Sequence, residues 1–259
     1  MEDVITDFPP PSRLFFDDLN NFSSLPQPLP SPFLLLSNPN PNAEPSSPLE
    51  PSLLIVAVSR PSTFLLHHLR GRALVGTLVL PEFSVAANSL DSSSLDNNSA
   101  HLYALDTAPG VLLALIQYQI PPERSSAVAK VVFEKIRPKR VLILSSIQSM
   151  NFRGKIYNDE RFAFKLETLE QRLDPEGPLV RELSYFPSGS LIEGIAASLL
   201  AACQVRKIKG TLVVSWPESQ VSVVLLRSVL RNIVGGLDFS PSLETSPFKD
   251  VLAESEMYI

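Results

Sequence analysis

Two hydrophobic periods alternate along the central part of the chain. Short continuous apolar runs occur at 53–58 (LLIVAV) and 140–146 (RVLILSS), and such runs are typical of strands that are covered on both faces. Other segments, such as the one that begins at Pro122, carry apolar residues at helical spacing. Strands that alternate with helices predict an α/β fold, a layered sandwich with a largely parallel central sheet flanked by helices.

The same two periods predict further elements in chain order. Strands are expected at 73–80, 100–106, 110–119 and 210–216, and helices at 62–71, 122–136, 188–206 and 219–234. The stretch 147–186 shows neither period clearly, so the sequence makes no prediction of elements there.

Composition divides the chain into three segments. Half of the 24 prolines lie in 1–52, and because proline removes a backbone donor we expect a Pro-rich, partly disordered N-terminal segment. Its apolar patches at 13–16 and 33–37 are exceptions that can dock onto the folded body. Residues 53–236 form the α/β body. Residues 237–259 carry five acidic residues against one lysine and are expected to form a flexible tail.

Charge and cysteine content exclude several classes of protein. The net charge of −5 gives no general reason to expect nucleic-acid binding, and the basic run 135–140 is interpreted as a solvated helix end. The single cysteine excludes an internal disulfide and a cysteine-based zinc cluster. No apolar run reaches the roughly 18 residues that span a bilayer, and Met1-Glu2-Asp3 does not resemble a signal peptide. We expect a soluble, cytoplasmic protein without membrane contact.

Side chains that carry enzyme chemistry are few and scattered. His67 and His68 are neighbours on a predicted helix and point in different directions, so a joint metal site is not expected. His101 is interpreted as a surface residue, and Cys203 as a packing residue. Asp159, Glu160, Glu167 and Glu170 are carboxylates on a polar segment, and solvation explains them. We therefore expect no catalytic residues, no metal and no cofactor.

One turn leaves an enzyme alternative open. In FPSGSLIEG (186–194) the serines at 188 and 190 flank a glycine at a predicted helix start, where free backbone amides bind anions. The simpler interpretation is that Ser188 or Ser190 caps the helix, with Glu193 completing a capping box. The alternative function is a phosphate-ester or nucleoside-type α/β enzyme that uses an anion site near Ser188–Ser190.

The tail ends on Met257, Tyr258 and Ile259 after an acidic, proline-containing stem. A terminal carboxylate in a groove that offers a lysine makes a charge-assisted contact. The tyrosine adds a rigid ring with a hydroxyl group, and the methionine a flexible apolar side chain. This pattern is typical of a short peptide that inserts into a pocket of another protein.

Three stretches resemble the proteasome assembly chaperone 1 family. They are VLILSSIQSMNFRGKIYNDERFAFKLET (141–168), LLAACQVRKIKGTLVVSW (199–216) and the ending ESEMYI. The resemblance covers about 140–259 well and 53–139 in pattern, whereas the Pro-rich segment 1–52 departs from it.

The resemblance implies a non-enzymatic protein that pairs with proteasome assembly chaperone 2. The heterodimer would help to build the ring of α subunits of the 20S proteasome. The tail would enter a pocket between neighbouring α subunits, with Met257 as the hydrophobic position, Tyr258 as the tyrosine and Ile259 as the residue that bears the carboxylate.

Two questions stay open at this point. The helix at 221–234 is apolar over more than one face, which either reflects burial within the body or provides a contact with the partner chaperone. A Pro-rich adaptor that acts through residues 1–52 is a third possible function.

Overall fold

A computed structural model describes residues 30–37, 48–82, 100–117, 119–153 and 162–245. The chain divides into two units, Met1–Pro30 and Ser31–Ile259, and every element below lies in the second unit. The strands are β1 (Phe33–Leu36), β2 (Leu53–Ala57), β3 (Arg72–Val79), β4 (Ala100–Leu105), β5 (Val111–Ile116), β6 (Arg140–Ser146), β7 (Phe162–Glu167), β8 (Ser184–Tyr185) and β9 (Lys209–Trp216). The helices are α1 (Arg60–His67), α2 (Pro122–Lys135), α3 (Leu169–Arg172), α4 (Gly194–Val205), α5 (Gln220–Ile233) and α6 (Ser242–Thr245), with a 3-10 turn at Ser149–Asn151.

The strands form one sheet in the order β1-β3-β4-β5-β2-β6-β9-β7-β8. Its centre, β5-β2-β6-β9, is parallel, and Ile55 of β2 lies between Leu113 of β5 and Leu142 of β6. The strands β1, β3 and β4 extend one side by antiparallel pairing, and β7 pairs antiparallel with β9 on the other. The predicted α/β fold with a parallel centre is confirmed, and the antiparallel flanks add to it.

Two hydrophobic layers cover the faces of the sheet. In β2, Leu54 and Val56 pack in the layer that contains α2 and α4, whereas Leu53, Ile55 and Ala57 pack in the layer that contains α1 and α5. Successive side chains of a strand point to opposite faces, so a strand that is covered on both sides needs apolar residues at every position. Each fully buried side chain of this kind stabilises the fold by about 1.5–3 kcal/mol.

The stretch 147–186, for which the sequence made no prediction, contains β7, α3 and β8. In β7 the aromatic positions Phe162 and Phe164 pack against the layer that contains α2 and α4. Lys165 and Glu167 are also buried. These two charged residues interrupt the apolar run of β7, so the hydrophobic pattern of the sequence does not show the strand.

The apolar core extends beyond 53–236 on both sides. The patch at 33–37 docks as anticipated, because Leu34 of β1 is buried and β1 pairs with β3. Beyond α5, Leu237, Phe239 and Leu243 are buried in the layer that contains α1 and α5. The division into three segments stays a prediction, since residues 1–29, 38–47 and 246–259 lie outside the described residues.

No helix in the described ranges is both long enough and apolar enough to cross a membrane.

Candidate interaction surfaces and buried polar clusters

The predicted pocket-binding residues, Met257, Tyr258 and Ile259, lie outside the described residues. The last described element before them is α6, which is held to the body by the buried side chain of Leu243. The function of the tail therefore stays a prediction.

The turn at Ser188–Ser190 does not begin a helix. Helix α4 starts at Gly194 with Glu193 as its N-cap residue, and no side chain caps it. The carboxylate of Glu193 instead accepts a hydrogen bond of 2.7 Å from Nδ2 of Asn151. The predictions of a serine cap, of a capping box and of an anion site at a helix start are therefore wrong.

Arg153 covers this turn. The backbone amide of Ser190 donates a hydrogen bond of 3.2 Å to the carbonyl of Pro187. The hydroxyl group of Ser190 accepts a hydrogen bond of 2.8 Å from the backbone amide of Arg153. Gly189 has φ +88°, and a Cβ at this position would lie 2.6 Å from Cδ of Arg153. The left-handed backbone favours glycine here, and the exposed arginine side chain passes close to it.

His101 is buried, with 2% of its surface exposed, so the prediction that it is a surface residue is wrong. It lies in β4, between β3 and β5, and its Nδ1 is 3.2 Å from Oγ1 of Thr77. Burial lowers the pKa of His101, and the charge of Arg72 lowers it further. A neutral imidazole with one short contact is a core residue of the sheet.

His67 and His68 have different surroundings. Nδ1 of His68 lies 2.9 Å from the carbonyl of Phe64, within its own helix. Burial, followed by the charge of Arg72, lowers the pKa of His67 to about 4. In the part of the chain that the structure describes, no group of three His, Cys, Asp or Glu residues is placed to hold a metal ion.

Cys203 is a packing residue, as predicted. It is fully buried on α4, and burial raises the pKa of its thiol to about 12. Cys203 packs closely on Gly210 of β9, because a Cβ added at Gly210 would lie 3.0 Å from Cβ of Cys203. A thiol in this environment is inert.

A buried ionic cluster on β7 escaped the sequence analysis. Nζ of Lys165 lies 3.2 Å from Oε1 of Glu167 and donates a hydrogen bond of 2.6 Å to the carbonyl of Val180. The hydroxyl of Tyr185 donates to Oε2 of Glu167 at 2.6 Å, and this bond is the main reason that the pKa of Tyr185 is raised. Glu167 is therefore buried and paired, and the prediction that it is solvated is wrong.

A second cluster lies at the amino ends of β6 and β9. Asp174 accepts hydrogen bonds from Arg140 at 2.6 Å and from Lys209 at 2.9 Å. The bond from Lys209 is the largest cause that lowers the pKa of Asp174, with Arg140 adding to it. Arg140 also pairs with Glu176. This cluster joins the strands to the segment after α3.

A groove of about 380 Å³ runs between the segment 176–182 and α5. Its two carboxylates are both engaged, because Glu176 pairs with Arg140 and Glu182 accepts a hydrogen bond of 2.8 Å from Nδ2 of Asn232. No His, Cys, Ser or Tyr lines this groove. The groove thus lacks a nucleophile with an adjacent base.

Several large apolar side chains of the described residues are more than half exposed. Val224 on α5 is 61% exposed, although Leu226 and Val223 on the same helix are fully buried. The other exposed large hydrophobic residues outside the edge strands β1 and β8 are Met150, Leu169, Leu173, Leu191 and Val205. Apolar side chains that are exposed singly are common on protein surfaces, so they do not by themselves identify an interface.

Comparison with solved structures identifies the class of fold. PbaA from Pyrococcus furiosus, described as an archaeal homologue of proteasome-assembly chaperone, matches with a TM-score of 0.55 and 16% identity over 88% of each chain. PbaB from the same organism, described as an archaeal proteasome activator, matches with a TM-score of 0.59 and 14% identity over 88% of this chain and 96% of PbaB. The chain has the fold of these proteins.

Comparison with curated proteins is more specific. Proteasome assembly chaperone 1 from Nematostella vectensis is 24% identical over 180 residues, which are 67% of this chain and 69% of that protein. No family model matches the chain. The resemblance to proteasome assembly chaperone 1 is confirmed.

Proposed function

We propose that this chain is a non-catalytic chaperone of 20S proteasome assembly, which pairs with proteasome assembly chaperone 2 and scaffolds the ring of α subunits. The observation that carries this proposal is the sequence similarity to proteasome assembly chaperone 1, which spans two thirds of both chains. The shared fold is consistent with the proposal but does not carry it, since one fold serves many functions.

The buried polar groups support a non-catalytic role. Lys165 pairs with Glu167, and Arg140 pairs with Asp174. The groove that Arg140 lines contains no free nucleophile. The thiol of Cys203 is protonated and enclosed by α4 and β9. These groups contribute to stability within the described body, and no constellation of nucleophile, base and orienting group is found there.

The proposal assigns the pocket contact to Met257, Tyr258 and Ile259. A short segment that is joined to a larger docking surface has an effective concentration of about millimolar, so three residues suffice to strengthen binding. Support comes from the family resemblance of the ending.

Co-purification with proteasome α subunits tests both parts. The experiment compares the intact chain, a version without Met257–Ile259, and a control version without 251–253. The control shortens the chain by the same length and keeps the ending. We expect the intact chain and the control to capture α subunits, and the version without the ending to capture them weakly. Equal capture by all three would refute the tail assignment, and no capture by the intact chain would refute the chaperone proposal.

The outer face of α5 is proposed as a contact with the partner chaperone. Its residue Val224 lies in the second turn of the helix and is 61% exposed. Val205, at the end of α4, is 82% exposed and provides a matched control. We expect Val224→Asp to abolish co-purification with the partner chaperone and Val205→Asp to preserve it. Loss in both variants, or in neither, would refute this location of the contact.

A further inference from the structure

Two basic turns that are distant in the sequence meet at one edge of the sheet. The turn before β6 contains Arg137 and Lys139, and the turn before β9 contains Arg206 and Lys207. Because Arg140 of β6 is the register partner of Lys209 of β9, and paired strands lie about 4.8 Å apart, the two turns are neighbours. Only the parallel pairing of these strands brings the turns together.

Five cations of this edge are exposed and form no ion pair within the described residues; we call them the basic pole. They are Lys135, Arg137, Lys139, Arg206 and Lys207. Arg140 and Lys209 are not counted, because Asp174 and Glu176 neutralise them. A cluster of positive charge thus stands on a chain whose net charge is −5.

The backbone that carries the basic pole is held firmly. The amide of Arg137 donates to the carbonyl of Leu49 at 2.7 Å, and the amide of Lys139 donates to the carbonyl of Pro51 at 3.0 Å. Nη1 of Arg206 donates to the carbonyl of Phe133 at 3.1 Å, which ties the end of α4 to the end of α2. These hydrogen bonds fix the backbone positions from which the cationic side chains extend, so less conformational freedom is lost when a ligand binds.

Nearby acidic residues do not cancel this charge. Glu134 lies one turn from Lys130, with Nζ and Oε1 3.9 Å apart, and it is directed along α2. Glu50 is exposed and forms no ion pair within the described ranges. Glu170 on α3 is also near, because its Oε2 lies 3.4 Å from Nε2 of Gln204. Five cations against these three carboxylates leave the edge positive.

We propose that the basic pole docks a carboxylate-rich segment of a partner protein. Clustered cations steer an acidic partner and accelerate association, and this effect weakens as salt screens the charges. The site goes beyond the proposed function, because it does not depend on which protein supplies the carboxylates.

Nucleic acid is a poorer fit to the basic pole. Binding of single strands combines cations with aromatic side chains on which bases stack, and Phe133, which lies under Arg206, is only 2% exposed. Five positive charges also cover only a small area for binding nucleic acid, and the net negative charge of the rest of the chain repels a long polyanion. A short acidic peptide avoids both problems.

The test uses the full chain and a short fluorescein-labelled peptide of alternating glutamate and glycine, followed by fluorescence anisotropy. A peptide with glutamine in place of glutamate is the neutral control, and a labelled oligouridylate measures nucleic-acid binding. We expect the glutamate peptide to bind more tightly than both, and to lose affinity as salt rises from about 0.05 M to about 0.3 M.

Two triple variants with the same change of net charge locate the site. The variant of the basic pole is Lys135→Gln, Arg137→Gln and Lys139→Gln, and the control, at exposed positions elsewhere, is Arg60→Gln, Arg181→Gln and Arg231→Gln. We expect the first to weaken binding of the glutamate peptide by about tenfold and the control to change it by less than about twofold. An equal loss in both variants, tighter binding of oligouridylate, or no preference over the neutral peptide would each overturn the proposal.

Discussion

The buried ionic cluster on β7 makes a sharp prediction about stability. The perturbation is Glu167→Gln, which removes one charge and keeps the size of the side chain. Lys165 would then remain a cation with 5% of its side chain exposed. Its remaining described partners would be the carbonyl of Val180, at 2.6 Å, and the ring of Tyr185, whose centroid lies 5.0 Å from Nζ.

The magnitude follows from the burial of both partners. The side chain of Glu167 is 1% exposed, and its ion pair with Lys165 spans 3.2 Å. Removal of one partner of a buried pair costs about 3–5 kcal/mol, because an uncompensated charge remains in the interior. Replacing both by apolar residues, as in Lys165→Met with Glu167→Leu, should cost only about 1–3 kcal/mol, since the main penalty is the unsatisfied carbonyl of Val180.

Urea unfolding, followed by the fluorescence of Trp216, measures these differences. For an m-value of about 3 kcal/mol/M, Glu167→Gln should lower the midpoint by about 1 to 1.7 M. The matched control is Glu134→Gln, in which an exposed pair with Lys130 is removed and the cost is below about 0.5 kcal/mol. A loss for Glu167→Gln no larger than that of the control, or a double variant less stable than Glu167→Gln, would refute the reasoning.

Three further predictions concern packing and titration. Gly210→Ala should reduce the free energy of unfolding by about 1–3 kcal/mol and lower the melting temperature, because the new Cβ would lie 3.0 Å from Cβ of Cys203. The control is Gly235→Ala, whose new Cβ would have no heavy atom within 4 Å, and it should leave the melting temperature nearly unchanged. Since the pKa of Cys203 is about 12, a thiol reagent should label it only after unfolding, and rapid labelling of the native protein would contradict its burial. The pKa of His67 is about 4 in the folded protein, against an ordinary value of 6.5, so its stabilising contribution is full above pH 6.5 and is lost as the pH falls toward 4. The variant His67→Asn should remove about 1–2 kcal/mol of this loss of stability, after allowance for partial exposure. If the pH dependence of urea unfolding is the same in the variant, the shifted pKa is refuted.

Local hydrophobic pattern predicted most of the central elements. The runs at 53–58 and 140–146 became β2 and β6, because a strand between two helical layers is apolar at every position. The helix after Pro121-Pro122 became α2, since proline at the first turn and a stripe of apolar residues both favour a helix. These properties depend on neighbours in the sequence.

Prediction failed where a residue's environment comes from distant parts of the chain. His101 is polar and follows a polar loop, yet it lies in β4, which is flanked by β3 and β5 in the sheet, and its side chain is buried. Lys165 and Glu167 interrupt an apolar run, yet they are buried because each neutralises the other. The serines at 188 and 190 match a helix start by type, whereas the helix begins at Gly194.

The sequence by itself determined the class of fold and the family resemblance, because hydrophobic period and the order of motifs are local properties of the chain. The tertiary structure decided which charges are buried and which are presented. Asp174 and Glu176 neutralise Arg140 and Lys209, whereas the cations of the adjoining turns are exposed. The physical reason is that the cost of a charge depends on its partners and its solvent, and the pairing of β6 with β9 places those partners side by side.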